Sequence, residues 1–239
     1  MSYHRNVYRM NILDLLYPDR CPLCDTARPI NETGVCPECV KKLITIKGPL
    51  CEKCGRPMEE EGKICGECEA SNFSFDGGKS IYTYASVSDS IYRFKYMNRA
   101  AYGKTFGHLM AREAADWLEW IKPNALVPVP LHKKRLIKRG YNQAKELADA
   151  ISEVSGIPVA DYLVTRLKNT VPQKLVGKNG RGINMKKAFI VRENVVSFKR
   201  IVLIDDIFTT GSTIDSLARE LKDAGVKEVF FLTISRGGT

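Results

Sequence analysis

An α/β protein with a mainly parallel sheet flanked by helices, carrying a small cysteine-rich module at its N-terminal end, follows from three features of the sequence. Apolar runs at 201–204 and 229–234 alternate with segments whose apolar residues recur every three or four positions, the pattern of strand–helix–strand units. All eight cysteines fall between positions 21 and 68. The 239 residues, 44% hydrophobic and 27% charged, suit one ordinary domain with an appendage, or two modest domains. Such a composition excludes a largely disordered or collagen-like chain. No stretch reaches the roughly 18–20 apolar residues of a membrane helix, and the start lacks the apolar core and cleavage site of a secretory signal. The expectation is a cytoplasmic protein with no membrane span.

The cysteines form four C-x-x-C pairs, Cys21/Cys24, Cys36/Cys39, Cys51/Cys54 and Cys65/Cys68, separated by 11, 11 and 10 residues. A cytosolic chain would not keep eight thiols as disulfides. Each pair instead makes a tight turn that aims two thiolates at one centre, and two such knuckles complete a tetrahedral sulfur shell. The spacing therefore predicts two structural Zn²⁺ ions. Sequential pairing (Cys21/24/36/39, then Cys51/54/65/68) needs only a short hairpin between knuckles and is preferred; an interleaved cross-brace is the alternative. Ile12 to Tyr17 reads as a short apolar helix stopped by Pro18. The domain reading is 1–72 for the double zinc ribbon with this helix and 73–239 for the α/β part.

Charge divides the same way. Residues 1–75 carry ten Lys+Arg against eleven Asp+Glu, whereas 76–239 carry 27 against 16, a net +11. Two four-thiolate zinc sites would take the module from −1 to about −5, so its acidity, including Glu59-Glu60-Glu61, favours a structural or protein-docking role over direct DNA contact. The basic part attracts phosphate-bearing partners, although solvated lysines give the same count.

Within the larger part, Phe106, Leu109, Met110, Ala114, Trp117, Leu118 and Ile121 predict one amphipathic helix, and 125–129 a short strand. Ala144, Leu147, Ala148, Ile151 and Val154 predict a helix from near Asn142 that ends at Gly156. Lys199 to Ile204 is a buried strand, and Ile214, Leu217, Ala218, Leu221 and Ala224 line a helix closed by Gly225. Val229 to Ile234 is the next strand. Parallel sheets of this kind bind ligands beyond the carboxyl ends of their strands.

The string after Ile204 is Asp205-Asp206-Ile-Phe-Thr209-Thr210-Gly211-Ser212-Thr213, followed by a helix. A hydroxyl- and glycine-bearing loop that opens a helix suits a phosphate, through backbone N–H groups and the helix dipole. Two adjacent carboxylates at a strand tip suit vicinal hydroxyls or a Mg²⁺-bound ligand. A second block, Val127 to Ala144, places Val129, Pro130 and Leu131 beyond a strand end as a candidate second phosphate site, followed by a basic cluster with Arg135 and Arg139.

Val202 to Thr213 closely resembles the phosphoribosyl-pyrophosphate signature of type I phosphoribosyltransferases. The resemblance implies a type I phosphoribosyltransferase-like sheet, with Asp205 and Asp206 on the ribose hydroxyls, Thr209 through Thr213 on the 5′-phosphate, and Mg²⁺ carried on the pyrophosphate. The 127–144 block, the opening Leu15-Leu-Tyr-Pro-Asp-Arg-Cys-Pro-Leu-Cys24 and Arg93-Phe-Lys-Tyr96 are similar to the ComF family of competence-associated phosphoribosyltransferase-like proteins. That likeness spans nearly the whole chain. It extends to Thr170, Gln173, Arg181 and Asn184, with Gly177-Lys-Asn-Gly180 where the family commonly carries a Ser and an acid.

Residues 162–192 contain no acid and eight basics, Lys168, Lys174, Lys178 and Arg181 among them. This segment is expected to be a loop that covers a reacting pyrophosphate or tracks a single-stranded nucleic-acid backbone; a solvated linker is the plain alternative. Three function classes follow. The resemblance implies handling of imported single-stranded DNA in natural transformation, with Tyr92, Phe94, Tyr96, Tyr102 and Tyr141 as candidate stacking residues. The alternative is an active phosphoribosyltransferase acting on an unidentified nitrogenous acceptor, with Arg135, Arg139 and either Lys168 or Arg181 stabilising the leaving pyrophosphate and no obvious general base beyond Asp206. The third is a zinc-dependent docking module for a helicase-like competence partner.

Overall fold

The computed structural model describes residues 18–29, 34–167, 188–192 and 195–237. Ile12 to Tyr17 and most of the basic 162–192 segment lie outside these residues. Two short helices, α1 (Pro37–Val40) and α2 (Gly66–Ser71), belong to the cysteine module. The rest runs β1 (Gly77–Thr83), α3 (Tyr84–Tyr96), α4 (Tyr102–Glu113), α5 (Ala115–Ile121), β2 (Ala125–Pro128), α6 (Lys133–Arg139), α7 (Gln143–Ser155), β3 (Val164–Arg166), β4 (Phe189–Val191), β5 (Arg200–Phe208), α8 (Ser212–Asp223) and β6 (Glu228–Arg236).

Four strands pair in parallel in the order β1-β6-β5-β2. The central pair has no polar face to offer water, so helices cover both sides. On β5, Ile201 and Leu203 face Leu217 and Leu221 of α8, together with Phe189 and the second cysteine group. Val202 and Ile204 face the other way, onto Leu147 and Ile151 of α7, Phe106 of α4 and Phe94 of α3. The outer edge of β1 is not left open to pairing. Ile44–Ile46, between the two cysteine groups, lies antiparallel to it, with the Ile46 amide donating to the Ile81 carbonyl at 2.8 Å and the Thr83 amide to the Ile44 carbonyl at 2.9 Å.

Several elements differ from the sequence reading. The helix expected across 106–121 is two helices, because Ala114 leaves helical geometry (φ −106°, ψ 8°) and ends one as it begins the other. Met110 is fully buried, while Trp117 is only half-buried, edge-on to Phe230 at 6.2 Å. Val154 is 47% exposed and not on the buried face of α7. The basic block after Leu131 is a helix, capped by His132 Nδ1 accepting from the Lys134 amide and closed at Gly140. β1 had no counterpart in the sequence reading. α4 and α7 pack very closely: a Cβ on Gly107 would stand 2.4 Å from the Ala150 Cβ, and one on Gly103 2.4 Å from the Glu146 Cβ.

Candidate functional site

The two aspartates do not sit at a strand tip. β5 continues through Ile207 and Phe208, which pair with Ser235 and Arg236 of β6, so Asp205 and Asp206 lie inside the strand and leave it on opposite faces. Asp206, 7% exposed, points to the α3 side, where its Oδ1 lies 2.8 Å from Lys95 Nζ. Asp205 is on the α8 side. Its carboxyl is enclosed although the residue as a whole is half-buried, and burial first, then the Asp206 charge, raise its pKa from 3.8 to about 7. The Asp206 amide, donating to Asp205 Oδ1 at 2.9 Å, and the Lys95 and Arg166 charges oppose that rise.

Arg166, at the end of β3, lies over the Phe189 ring at 5.4 Å. Burial lowers its pKa, the Arg135 charge lowers it further, and Asp205 works in the opposite sense. Arg166 is thus within electrostatic range of both Asp205 and Arg135 of α6. Arg139 is held differently: its Nη1 donates to Gln143 Oε1 at 2.8 Å, and its guanidinium lies 5.0 Å from the Tyr96 ring centre. The chain after β2 passes alongside β5, the Val129 amide donating to the Ile204 carbonyl at 2.9 Å and the Val129 carbonyl accepting from Asn142 Nδ2 at 3.1 Å. Val129 is buried, and Pro130 and Leu131 are half-buried.

The loop after β5 carries Thr209 and Thr210 in the open, with Thr210 Oγ1 3.1 Å from Ser212 Oγ. Gly211 takes φ +75°, where a Cβ would stand 2.9 Å from the Phe208 ring, so glycine is the residue the turn requires. It begins α8 without a side-chain cap, which leaves the first-turn amides of Ser212 and Thr213 turned outward at the positive end of the helix. The structure thus gathers Asp205, Asp206, the 209–213 loop and Val129 at the carboxyl end of β5, with Pro130 and Leu131 next along the chain and Arg135 within electrostatic range of Arg166. Lys168, Gln173, Lys174, Lys178 and Arg181, with Thr170 and Asn184, lie outside the described residues; the ends of their segment pair as the antiparallel strands β3 and β4. Lys95 and Arg166 were missed as site residues. The sequence signal for Lys95 was its place in the Arg93-Phe-Lys-Tyr96 string that resembles the ComF family, which names no partner for it.

The cysteines settle into two groups in sequential pairing. Cys21, Cys24, Cys36 and Cys39 bring their sulfurs within 4.8 Å of one another, as do Cys51, Cys54, Cys65 and Cys68. The Cys36 amide donates to Cys21 Sγ at 3.4 Å and the Cys65 amide to Cys51 Sγ at 3.2 Å. Burial pushes the Cys54 thiol up to about 11 and the Cys39 thiol to about 12, so a cation is needed to hold these sulfurs ionised. Four soft donors in a closed, tetrahedron-sized cluster fit Zn²⁺, which contributes folding energy in such sites.

The double zinc ribbon domain family matches residues 12–69, and the phosphoribosyl transferase domain family matches 110–238, more than half of the chain. Competence protein F of Haemophilus influenzae is 33% identical over 216 residues, 88% of this chain and 93% of that one. The chain belongs to the ComF family. Competence protein ComFC of Bacillus subtilis is 31% identical, covering 80% of this chain and 79% of its own length. The DNA utilization protein YhgH of Escherichia coli is 29% identical over 90% of this chain and 96% of its own. In this ComF-family chain, therefore, the loop after β5 lies within a phosphoribosyltransferase domain and the two sulfur clusters within a double zinc ribbon. No helix among the described residues is long and apolar enough to cross a membrane.

Proposed function

We propose that this protein binds phosphoribosyl pyrophosphate at the carboxyl end of β5 and handles imported single-stranded DNA in the cytoplasm during natural transformation. The observation that carries the first half is the enclosed Asp205–Asp206–Lys95 cluster directly ahead of an outward-facing Thr-Thr-Gly helix start. Asp205 and Asp206 hold the ribose hydroxyls, Thr209 to Thr213 the 5′-phosphate, and Val129–Leu131 with Arg135 flank the pyrophosphate. Mg²⁺ on that pyrophosphate would supply charge neutralisation of a departing group. Arg139 is a stacking and orienting residue for Tyr96 in this reading.

Support for the DNA half comes from the relatives named for competence and DNA utilization, and from the +11 charge of residues 76–239. Of the five candidate stacking residues, Phe94 and Tyr102 are core and Tyr141 is half-buried. Tyr92 and Tyr96, 60% and 57% exposed and 5.1 Å apart, remain available to bases, with Arg139 beside them. The acidic ribbon, with Glu59–Glu61 exposed, is the docking face for a helicase-like partner. The second reading, turnover with a nitrogenous acceptor, is favoured by the Arg166 charge acting on Asp205, with Arg135 within electrostatic range of Arg166.

Calorimetry with phosphoribosyl pyrophosphate and Mg²⁺ tests the site: the wild type binds, and Asp205→Asn/Asp206→Asn does not. Absence of uptake by zinc-loaded wild type overturns the reading. A labelled single strand should be retarded with steep salt dependence, and less so by Tyr92→Ala/Tyr96→Ala; pyrophosphate release with an added acceptor base would establish turnover.

A further inference from the structure

Arg236, the last residue of β6, is 6% exposed although it carries a full charge. Its guanidinium lies between the second cysteine group and the loop after β5. Nη1 donates to the Cys54 carbonyl at 3.0 Å, and Nη2 stands 3.8 Å from the carboxylate of Glu67, the neighbour of Cys68. The same group lies 4.9 Å from the ring centre of Phe208, which opens the loop. Phe208 stacks on Phe231 at 4.4 Å and borders Gly211. Phe73, five residues after the last cysteine, closes the other side of Gly211, at 3.3 Å from the point a Cβ would occupy. The next residue, Ser74, donates its amide to Asp215 of α8 at 2.6 Å.

A buried cation is a poor way to gain stability, since apolar residues of similar size usually serve better. Arg236 Nε is moreover buried without a hydrogen-bond partner. A side chain retained under those conditions, bonded to a metal knuckle on one side and a loop-opening ring on the other, has a use other than filling space.

We propose that Arg236 is a positioning residue that makes the conformation of the 208–213 loop depend on metal held by Cys51, Cys54, Cys65 and Cys68. Metal fixes the turn that presents the Cys54 carbonyl; Arg236 is held by that carbonyl; the Phe208 ring beneath it sets the Gly211 turn and the start of α8. The ribbon is then part of the loop's frame and not an independent appendage. The consequence for ligand rests on the reading of this loop as the sugar-phosphate seat. By linkage, the factor by which metal favours ligand equals the factor by which ligand retains metal.

The test uses full-length, zinc-loaded protein and its Arg236→Met and Arg236→Lys variants, each with its metal content measured. Amide hydrogen exchange needs no ligand. Over 208–215 it should accelerate on the order of tenfold in Arg236→Met, within the usual range for coupled sites, and by less in Arg236→Lys, which keeps a cationic donor. Exchange across α7 should not change. Cys24→Ser/Cys36→Ser, which opens only the first group, should leave 208–215 as in wild type. In wild type, phosphoribosyl pyrophosphate should raise the affinity for one of the two zinc ions, read by equilibrium competition with a chromogenic chelator, and Arg236→Met should reduce that factor. Wild-type exchange at 208–215 in both Arg236 variants overturns the proposal, as does acceleration spread equally over α7, which would mark a plain staple. Local acceleration with no ligand uptake by wild type sustains the coupling and overturns the ligand reading instead.

Discussion

Asp205 offers a sharp test, because replacing it should make the protein more stable while removing its ligand. Burial and the neighbouring Asp206 raise its carboxyl from 3.8 to about 7. A tenfold change in an acidity constant is worth about 1.36 kcal/mol, so keeping this group ionised costs the native state on the order of 4 kcal/mol. The folded pKa lies above the unfolded one, so the native chain holds the proton more tightly. Its contribution to stability is complete below pH ~4 and is lost as pH rises to about 7. Asparagine keeps an oxygen for the Asp206 amide, 2.9 Å away, and never ionises. Asp205→Asn should therefore exceed wild type in stability by roughly 2 kcal/mol at pH 5.5 and roughly 4 kcal/mol at pH 8.5. Urea unfolding of both zinc-loaded proteins across that range measures the gap, and groups common to the two cancel in the difference. A gap that does not widen with pH, or a variant less stable than wild type at pH 8.5, would mean that Lys95 and Arg166 neutralise an ionised Asp205 in the native state, and the argument from burial would fail.

Lys95→Met leaves Asp206 buried without its cation. Both side chains are largely covered (17% and 10% exposed), so a loss of about 3 kcal/mol at pH 8 is expected in the same urea assay. Gly107→Ala sets helix propensity, worth about 1 kcal/mol in favour, against a Cβ 2.4 Å from the Ala150 Cβ and 2.8 Å from the Leu147 carbonyl. Overpacking between two rigid helices costs about 1–3 kcal/mol, so a net destabilisation of up to about 2 kcal/mol should appear as a lower urea midpoint; a rise would show that α4 and α7 separate freely. The first cysteine group exposes Cys24 and half-exposes Cys36, whereas all four of the second are buried. A chelator should thus remove zinc in two phases, and Cys24→Ser/Cys36→Ser should abolish the fast one.

The ribbon was legible because C-x-x-C spacing encodes its own geometry; four pairs at near-equal intervals leave little room for another fold. Equally legible were β5, β6, α7 and α8, whose burial writes an apolar period into the sequence. β1 was not, since Gly77-Gly78-Lys79-Ser80 reads as a loop. Its pairing comes from β6, and Gly78 is small because the Phe231 ring occupies the space above it, 2.1–2.3 Å from where a Cβ would be. The extent of β5 was hidden for a related reason: two acids look like a strand end until Ile207 and Phe208 resume pairing beyond them. Lys95 was legible only as part of the Arg93–Tyr96 string that resembles the ComF family. Its partner was not, because the ion pair with Asp206 arises only when α3 packs across the end of β5.

The charge asymmetry takes on a different meaning once the two parts are seen in contact. Arg93 donates to the Pro22 and Leu23 carbonyls of the first knuckle at 3.2 and 2.6 Å, and Arg99 meets Asp25 at 3.0 Å, with Tyr102 donating to the same carboxylate. Arg236 does the equivalent for the second knuckle with the Cys54 carbonyl and Glu67. Three arginines of the basic part are thus directed at the acidic module, which bound zinc would make more acidic still. The +11 of residues 76–239 overstates the positive field open to a phosphate-bearing ligand by about that share. Near Asp205 and Asp206 the field is set by Lys95 and Arg166. Arg93 precedes Lys95 by two residues on α3, and Arg236 pairs with Phe208 across β5 and β6. Each zinc knuckle is therefore gripped by a residue that neighbours a different side of the site. Loss of the first metal should be felt on the α3 side, at Lys95 and Asp206, and loss of the second at the loop after Phe208, in both cases before the distant α7 loosens.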